Sequence, residues 1–66
     1  MYLNGQQLTT DLHFQDHAES CIPVQVYYQN VHKDIGFIEI YTLYFIKVNN
    51  TFYNRNTHVF LSRPGY

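Results

Sequence analysis

This chain predicts a mainly β fold: a five-stranded, strongly bent small barrel preceded by a short helix. Three observations carry that reading. From Ile22 to Tyr66 apolar and polar residues alternate with the period of a strand. The alternation is punctuated by Asn, Gly and Asp at turn spacing. One glycine, Gly36, falls inside a strand, where glycine marks a bend or a close approach of backbone.

Taken in order, residues 1–9 form an N-terminal segment in which Asn4-Gly5 is a two-residue turn signal, read as a short hairpin or a frayed end. Residues 10–20 are the helix candidate. Thr10 suits the N-cap and Asp11 the first turn. Leu8, Leu12, Phe14 and Ala18 give it a ragged apolar face. Pro23 pushes Ile22 toward extended geometry, which opens the barrel segment 22–66.

The first expected strand is Val24 to Gln29, with Val24, Val26 and Tyr28 on one face. Asn30 to Lys33 is the expected turn. The second strand is Asp34 to Tyr41, through Gly36, and small barrels need such a bend to close. Tyr41 to Val48 continues as β and Thr42-Leu43 is its only place to turn, so the second and third strands either form one long bent strand or meet there at a tight corner. Asn49-Asn50 is the next turn, because Asn tolerates positive φ better than most residues. It also begins an Asn49-Asn50-Thr51 sequon, which is most simply that turn. Thr51 to Tyr53 is the fourth strand and Thr57 to Arg63 the fifth. A meander this short buries one face by closing on itself, leaving its first and last strands as edges. SH3-like and Sm-like barrels are the natural solutions.

Size and composition narrow the function. Sixty-six residues make one domain, 1–66. Such a chain buries only about 60% of the surface its unfolded form exposes. Cys21 is the only cysteine, so no disulfide within the chain adds stability, and oligomerisation is the expected source of further buried area. The net charge of −1 is not the basic footprint of a domain that grips duplex DNA. Seven Tyr and five Phe would fill a small core and an interface. No stretch is apolar enough for a spanning helix, so no membrane partner is expected. The opening MYLNGQQL has neither a cationic region nor an apolar run, and with a lone thiol the expected setting is cytoplasmic.

The residues from Ile22 to Val48 resemble, without gaps, the core of the Sm-like proteins, and among them the Hfq-type bacterial RNA chaperones. Ile22-Pro23-Val24 matches the lead into the first strand, Asn30 the turn, and Gly36-Phe37-Ile38-Glu39 the Gly-x-Ile-Glu of the second. The family's aromatic, Asp, any residue and bulky residue read here as Tyr41-Thr42-Leu43-Tyr44, so Thr42 stands where the family has Asp. Tyr53-Asn54-Arg55-Asn56 occupies the place of the second motif, with Arg55-Asn56 resembling an Arg-Gly pair. The Tyr-Lys-His form of that motif is absent, and the segment between the third and fourth strands is very short.

The resemblance implies a homo-oligomeric ring, in which the fourth strand of one copy pairs with the fifth of the next. It implies single-stranded RNA as ligand, with Thr42, Tyr44, Arg55 and Asn56 as its contacts and Lys47, His58 and Arg63 as weaker ones. The residues alone leave Tyr44 equally readable as core or interface and Arg55 as a solvated turn residue. A structural or protein-interaction module with an SH3-like barrel and no nucleic acid remains the alternative.

His13, His17 and Cys21 fall at i, i+4 and i+8, and a His-x₃-His pair suits zinc. Pro23 lies too close for a helix reaching Cys21, so they read as surface histidines and a buried thiol, with no metal or cofactor expected. No base stands at recognisable spacing from the thiol, so an enzyme is not expected. Glu39 reads as an outward-facing charge.

Overall fold

The computed structural model describes residues 1–66. Seven strands and one helix follow in the order β1 (Gln7–Leu8), α1 (Asp11–Glu19), β2 (Val24–Tyr28), β3 (Val31–Gly36), β4 (Ile38–Tyr41), β5 (Phe45–Val48), β6 (Thr51–Asn54) and β7 (Val59–Ser62). They form two antiparallel sheets, ordered β1-β7-β2-β3 and β4-β5-β6.

Helix α1 starts where the sequence places it. Thr10 Oγ1 accepts the His13 amide at 3.2 Å, and His13 Nδ1 accepts the amides of Thr10 and Thr9 at 3.3 and 3.0 Å. This is a capping box closed by histidine instead of Glu or Gln. The helix ends as Ile22 N–H reaches back to the His17 carbonyl at 3.1 Å, the long bond of a Schellman turn. Cys21 holds the left-handed position there at φ 52°, a place glycine fills at lower cost.

The buried face of α1 is the expected one in part: Phe14 is buried and Ala18 packs against the core, but Leu12 is not on it. Leu12 is 60% exposed, whereas Phe14 and His17 are buried. Leu8 is buried too, but from β1, ahead of the helix. Phe14 meets Phe60 edge to face, with ring centroids 5.4 Å apart. Around that pair lie Leu8, Val24, Val26, Ile38, Ile46 and Val48, with Tyr2, Ala18, Tyr41 and Tyr53 packed against them. Val24 and Val26 point inward as alternation requires. A bulge after Val26 breaks the alternation, and Tyr28 emerges exposed.

Three strand boundaries differ from expectation. The first turn is Gln29-Asn30, not Asn30 to Lys33. Both residues have positive φ (49° and 65°), and Tyr28 pairs directly with Val31. A two-residue turn of that hand matches the twist of the strands it joins. The second expected strand is broken after Gly36, and its two parts, β3 and β4, belong to different sheets. Neither the first nor the last expected strand is an edge: β2 lies between β7 and β3, and β7 between β1 and β2. The N-terminal segment is neither a hairpin nor frayed, because Gln7 and Leu8 pair with Leu61 and Phe60. The Asn49-Asn50 turn stands as expected, with φ of 49° and 64°.

Gly36 serves close approach. A Cβ there would lie 2.8 Å from Asn49 Oδ1. The same Asn49 amide donates to Asp34 Oδ1 at 2.6 Å and to the Ile35 carbonyl at 2.9 Å. Asp34 also accepts the Tyr53 hydroxyl at 2.8 Å, so one carboxylate ties β3 to the second sheet. Burial alone would raise the Asp34 pKa. The hydrogen bonds from Asn49, Tyr53 and the Ile35 amide outweigh it and hold the group below its ordinary value.

Gly36→Ala is therefore expected to displace Asn49 and cost about 1–2 kcal/mol in urea denaturation. In an Asn49→Ala background that cost should largely vanish. Equal costs in both backgrounds would place the role of Gly36 elsewhere.

Candidate nucleic-acid interface

Two turns lie side by side at one end of the molecule. In the first, Thr42 Oγ1 accepts the amides of Tyr44 and Phe45 at 3.2 and 2.9 Å. The hydroxyl thus does locally what a turn carboxylate does, so threonine in place of the family's Asp leaves the turn closed. The turn holds Leu43 and Tyr44 out to solvent, Tyr44 at 62% exposure. Tyr44 is not a core residue.

The second turn follows β6. Asn54 organises it: its Oδ1 accepts the Asn56 amide at 2.8 Å, and its carbonyl accepts the His58 amide at 3.2 Å. Asn56 is not among the residues with positive φ, so it does not supply the left-handed step expected from its likeness to an Arg-Gly pair. The Asn54 side chain closes the turn and removes the need for that step.

Arg55 joins the two turns. Its amide donates to the Tyr44 carbonyl at 2.9 Å, and its Nη1 donates to the Thr42 carbonyl at 2.8 Å. The same Nη1 makes an ion pair with Asp11 Oδ1 at 2.6 Å, and the guanidinium lies 4.6 Å above the centre of the Phe14 ring. Its side chain is only 12% exposed. Arg55 is thus a packed residue, not a freely solvated one. Beside it opens a depression of about 330 Å³, with Leu43, Arg55, Asn56 and His58 on its walls. Gln7 to Thr9 and Phe14 complete it from β1 and the start of α1.

The two turns therefore bring Thr42, Tyr44, Arg55 and Asn56 near one another, and Arg55, Asn56 and His58, but neither Thr42 nor Tyr44, line the depression. Lys47 and Arg63 are not part of it. Lys47 lies over Phe52 and near Glu39, at 5.3 and 3.8 Å. Glu39 is exposed, as expected. Arg63 binds Gln25 at 2.6 Å near the other end of β7.

The histidine and cysteine reading needs two corrections. His17 is fully buried, not superficial: its Nδ1 donates to the His13 carbonyl and its Nε2 faces Ser62 Oγ, both at 2.7 Å. Cys21 is exposed, not buried, because it sits past the helix end in the left-handed turn. His13 Nδ1 is engaged by the cap, so the three side chains do not converge.

The residue that sequence reasoning missed is Asp11. It was placed in the first helical turn, but nothing in local spacing pairs it with a residue 44 positions away. Chemically, the site offers one anchored guanidinium and an imidazole on the walls of a depression open to solvent, with an exposed aromatic ring on the adjoining turn. No helix is long and apolar enough to cross a membrane.

Fold and site together define a small mainly β domain of two antiparallel sheets with a depression at one end walled by Arg55, Asn56 and His58. Compared with protein-family models, curated proteins and solved structures, the chain matches none of them.

Proposed function

We propose that this chain is an Sm-like RNA-binding protein whose two sheets are the halves of one strongly bent barrel, and that copies join into a ring. The observation that carries the reading is the meeting of Thr42, Tyr44 and Arg55, as Arg55 from the second turn bonds the Thr42 and Tyr44 carbonyls of the first. A base stacked on Tyr44 would gain about 1–3 kcal/mol whatever its identity. Arg55 would add cation–π and phosphate contacts. With so little charge per chain, several copies around a pore would pool it.

Joining is supported by unpaired strand edges and by an apolar outer face on the second sheet. There Phe45 and Phe52 are both exposed, with ring centroids 6.2 Å apart. β6 offers an open edge, whereas the second edge of β7 carries Gln7 and Leu8. A β6-to-β7 ring would therefore release that two-residue pairing.

The test is anisotropy of labelled oligo-U and oligo-A at low salt, with light scattering for mass. An oligomer that binds, and a Tyr44→Ala variant about tenfold or more weaker, are expected. A strict monomer that ignores both oligonucleotides would overturn the reading. That result would favour an SH3-like protein-interaction module, to which the near-neutral charge and the Phe45–Phe52 face also belong.

A further inference from the structure

We infer that Asp11 is a built-in antagonist of the anion site on Arg55, so that RNA phosphate and the helix carboxylate compete for one guanidinium. The inference rests on the RNA-binding reading and adds to it how that site is restrained.

The geometry is specific. Both side-chain hydrogen bonds of Arg55 leave from Nη1, one to the Thr42 carbonyl and one to Asp11. Nε and Nη2 make none, and no buried side-chain nitrogen lacks a partner, so both reach solvent. A phosphate needs two N–H groups on one edge of the guanidinium. If it takes the Nη1 edge, it displaces Asp11. If it takes the Nε edge, it still binds a guanidinium that already carries a carboxylate 2.6 Å away. In the first position the phosphate must break the Asp11 ion pair; in the second it meets a charge already neutralised and a like charge beside it.

The two partners differ in how firmly they are held. Arg55 is anchored from below by Phe14 and from the side by Thr42. Asp11 is 67% exposed at the first turn of α1. Its carboxylate can swing into water, because its own side chain is already mostly solvated. Arg55 thus stays in place while Asp11 is the removable part. RNA affinity is lowered, and a second anion must outcompete the first. The helix carries no Lys or Arg that would offset Asp11, whereas Asp16 and Glu19 add to the negative charge of its surface.

The experiment measures oligo-U affinity at low salt for the wild type, Asp11→Asn, Asp11→Ser and Glu19→Gln. The Asp11 variants are repeated in an Arg55→Ala background, and circular dichroism confirms each fold. Both Asp11 variants are expected to bind about three- to tenfold tighter than the wild type, the range of one partly screened charge pair. Glu19→Gln removes the same charge from the same helix without touching Arg55, and should change affinity by less than twofold. The gain should disappear without Arg55.

Binding by the wild type with no gain in either Asp11 variant would overturn the antagonism and leave the RNA reading standing. Equal gains from Glu19→Gln and Asp11→Asn would overturn it as well, since net charge alone would then be the cause. Failure of the wild type and both Asp11 variants to bind would remove the RNA reading and this inference with it. Binding by the Asp11 variants alone would support the inference in its strongest form.

Discussion

Phe14→Ala is expected to leave most of the protein unfolded near room temperature. Phe14 is buried, packs edge to face on Phe60, and forms the floor beneath Arg55. Removing a buried phenyl ring costs about 3–5 kcal/mol, part transfer and part cavity. A chain of this size has a total stability of roughly 3–10 kcal/mol. The loss is therefore comparable with everything that holds the fold together. Leu12→Ala, two residues away on the exposed face, should cost under about 0.5 kcal/mol. Urea denaturation of the two variants gives the comparison. A Phe14→Ala cost below about 1 kcal/mol would mean that the helix is not docked as described. In the fraction of Phe14→Ala that remains folded without denaturant, oligonucleotide binding should be weaker than in the wild type, since Arg55 loses its support.

His17 gives the second large effect, and it depends on pH. A carbonyl accepts only, so Nδ1 carries the proton for the His13 carbonyl, and Nε2 accepts the Ser62 hydroxyl. The ring is thus held neutral between α1 and β7, with the Tyr2 ring edge-on to it, centroids 4.3 Å apart. Burial lowers its pKa from the ordinary 6.5. The charge of His13 adds to that lowering, while the His13 carbonyl bond and nearby Asp16 oppose it. The sign follows from linkage. Below pH 6.5 the unfolded chain takes up a proton that folded His17 refuses, so protonation favours unfolding. Stability is expected to fall as pH drops through 6.5 and to level once the lowered folded pKa is passed. Asp34, held below its ordinary value by its hydrogen bonds, extends the loss into the carboxylate range: its contribution is present above 3.8 and goes as pH falls through its lowered folded value.

His17→Ala should cost about 2–3 kcal/mol at neutral pH, through a cavity and an unpaired Ser62 hydroxyl. It should also flatten the histidine-range part of the pH profile. Thermal melts between pH 7.5 and pH 5 would show both effects, and an unchanged slope in the variant would exclude His17 as their source.

Much of the fold was legible because it rests on local chemistry. Alternation marked Val24 and Val26 as inward-facing, Thr10 marked the helix start, and Asn49-Asn50 marked a turn that needs two positive φ values. These signals operate within a few residues of each other. The misreadings arose where a distant partner decided the matter. Leu12 was grouped with Phe14 on the apolar face by hydrophobicity, but it is His17 that the helix presents to the sheet beside Phe14. His17 is tolerated there because Ser62, 45 positions on, satisfies its second nitrogen. The expected edge strand β7 is covered by β1, a two-residue segment too short to stand out by periodicity.

The candidate site divides in the same way. Thr42, Tyr44, Arg55 and Asn56 were named from motif position, and the two turns do bring them together. What they do there was not legible. The Thr42 hydroxyl closes its turn, Asn54 rather than Asn56 shapes the second, and Arg55 is shared with Asp11. By itself the sequence determined the β-rich class, the helix cap and the Asn-Asn turn, since each follows from backbone preferences of adjacent residues. Only the tertiary structure decided that the strands divide into two sheets at Phe37, that His17 is core and Cys21 is surface, and that Arg55 already holds an anion. Each of those outcomes depends on which side chain from elsewhere in the chain arrives to supply a hydrogen bond, a ring or a charge, and local spacing carries no record of that.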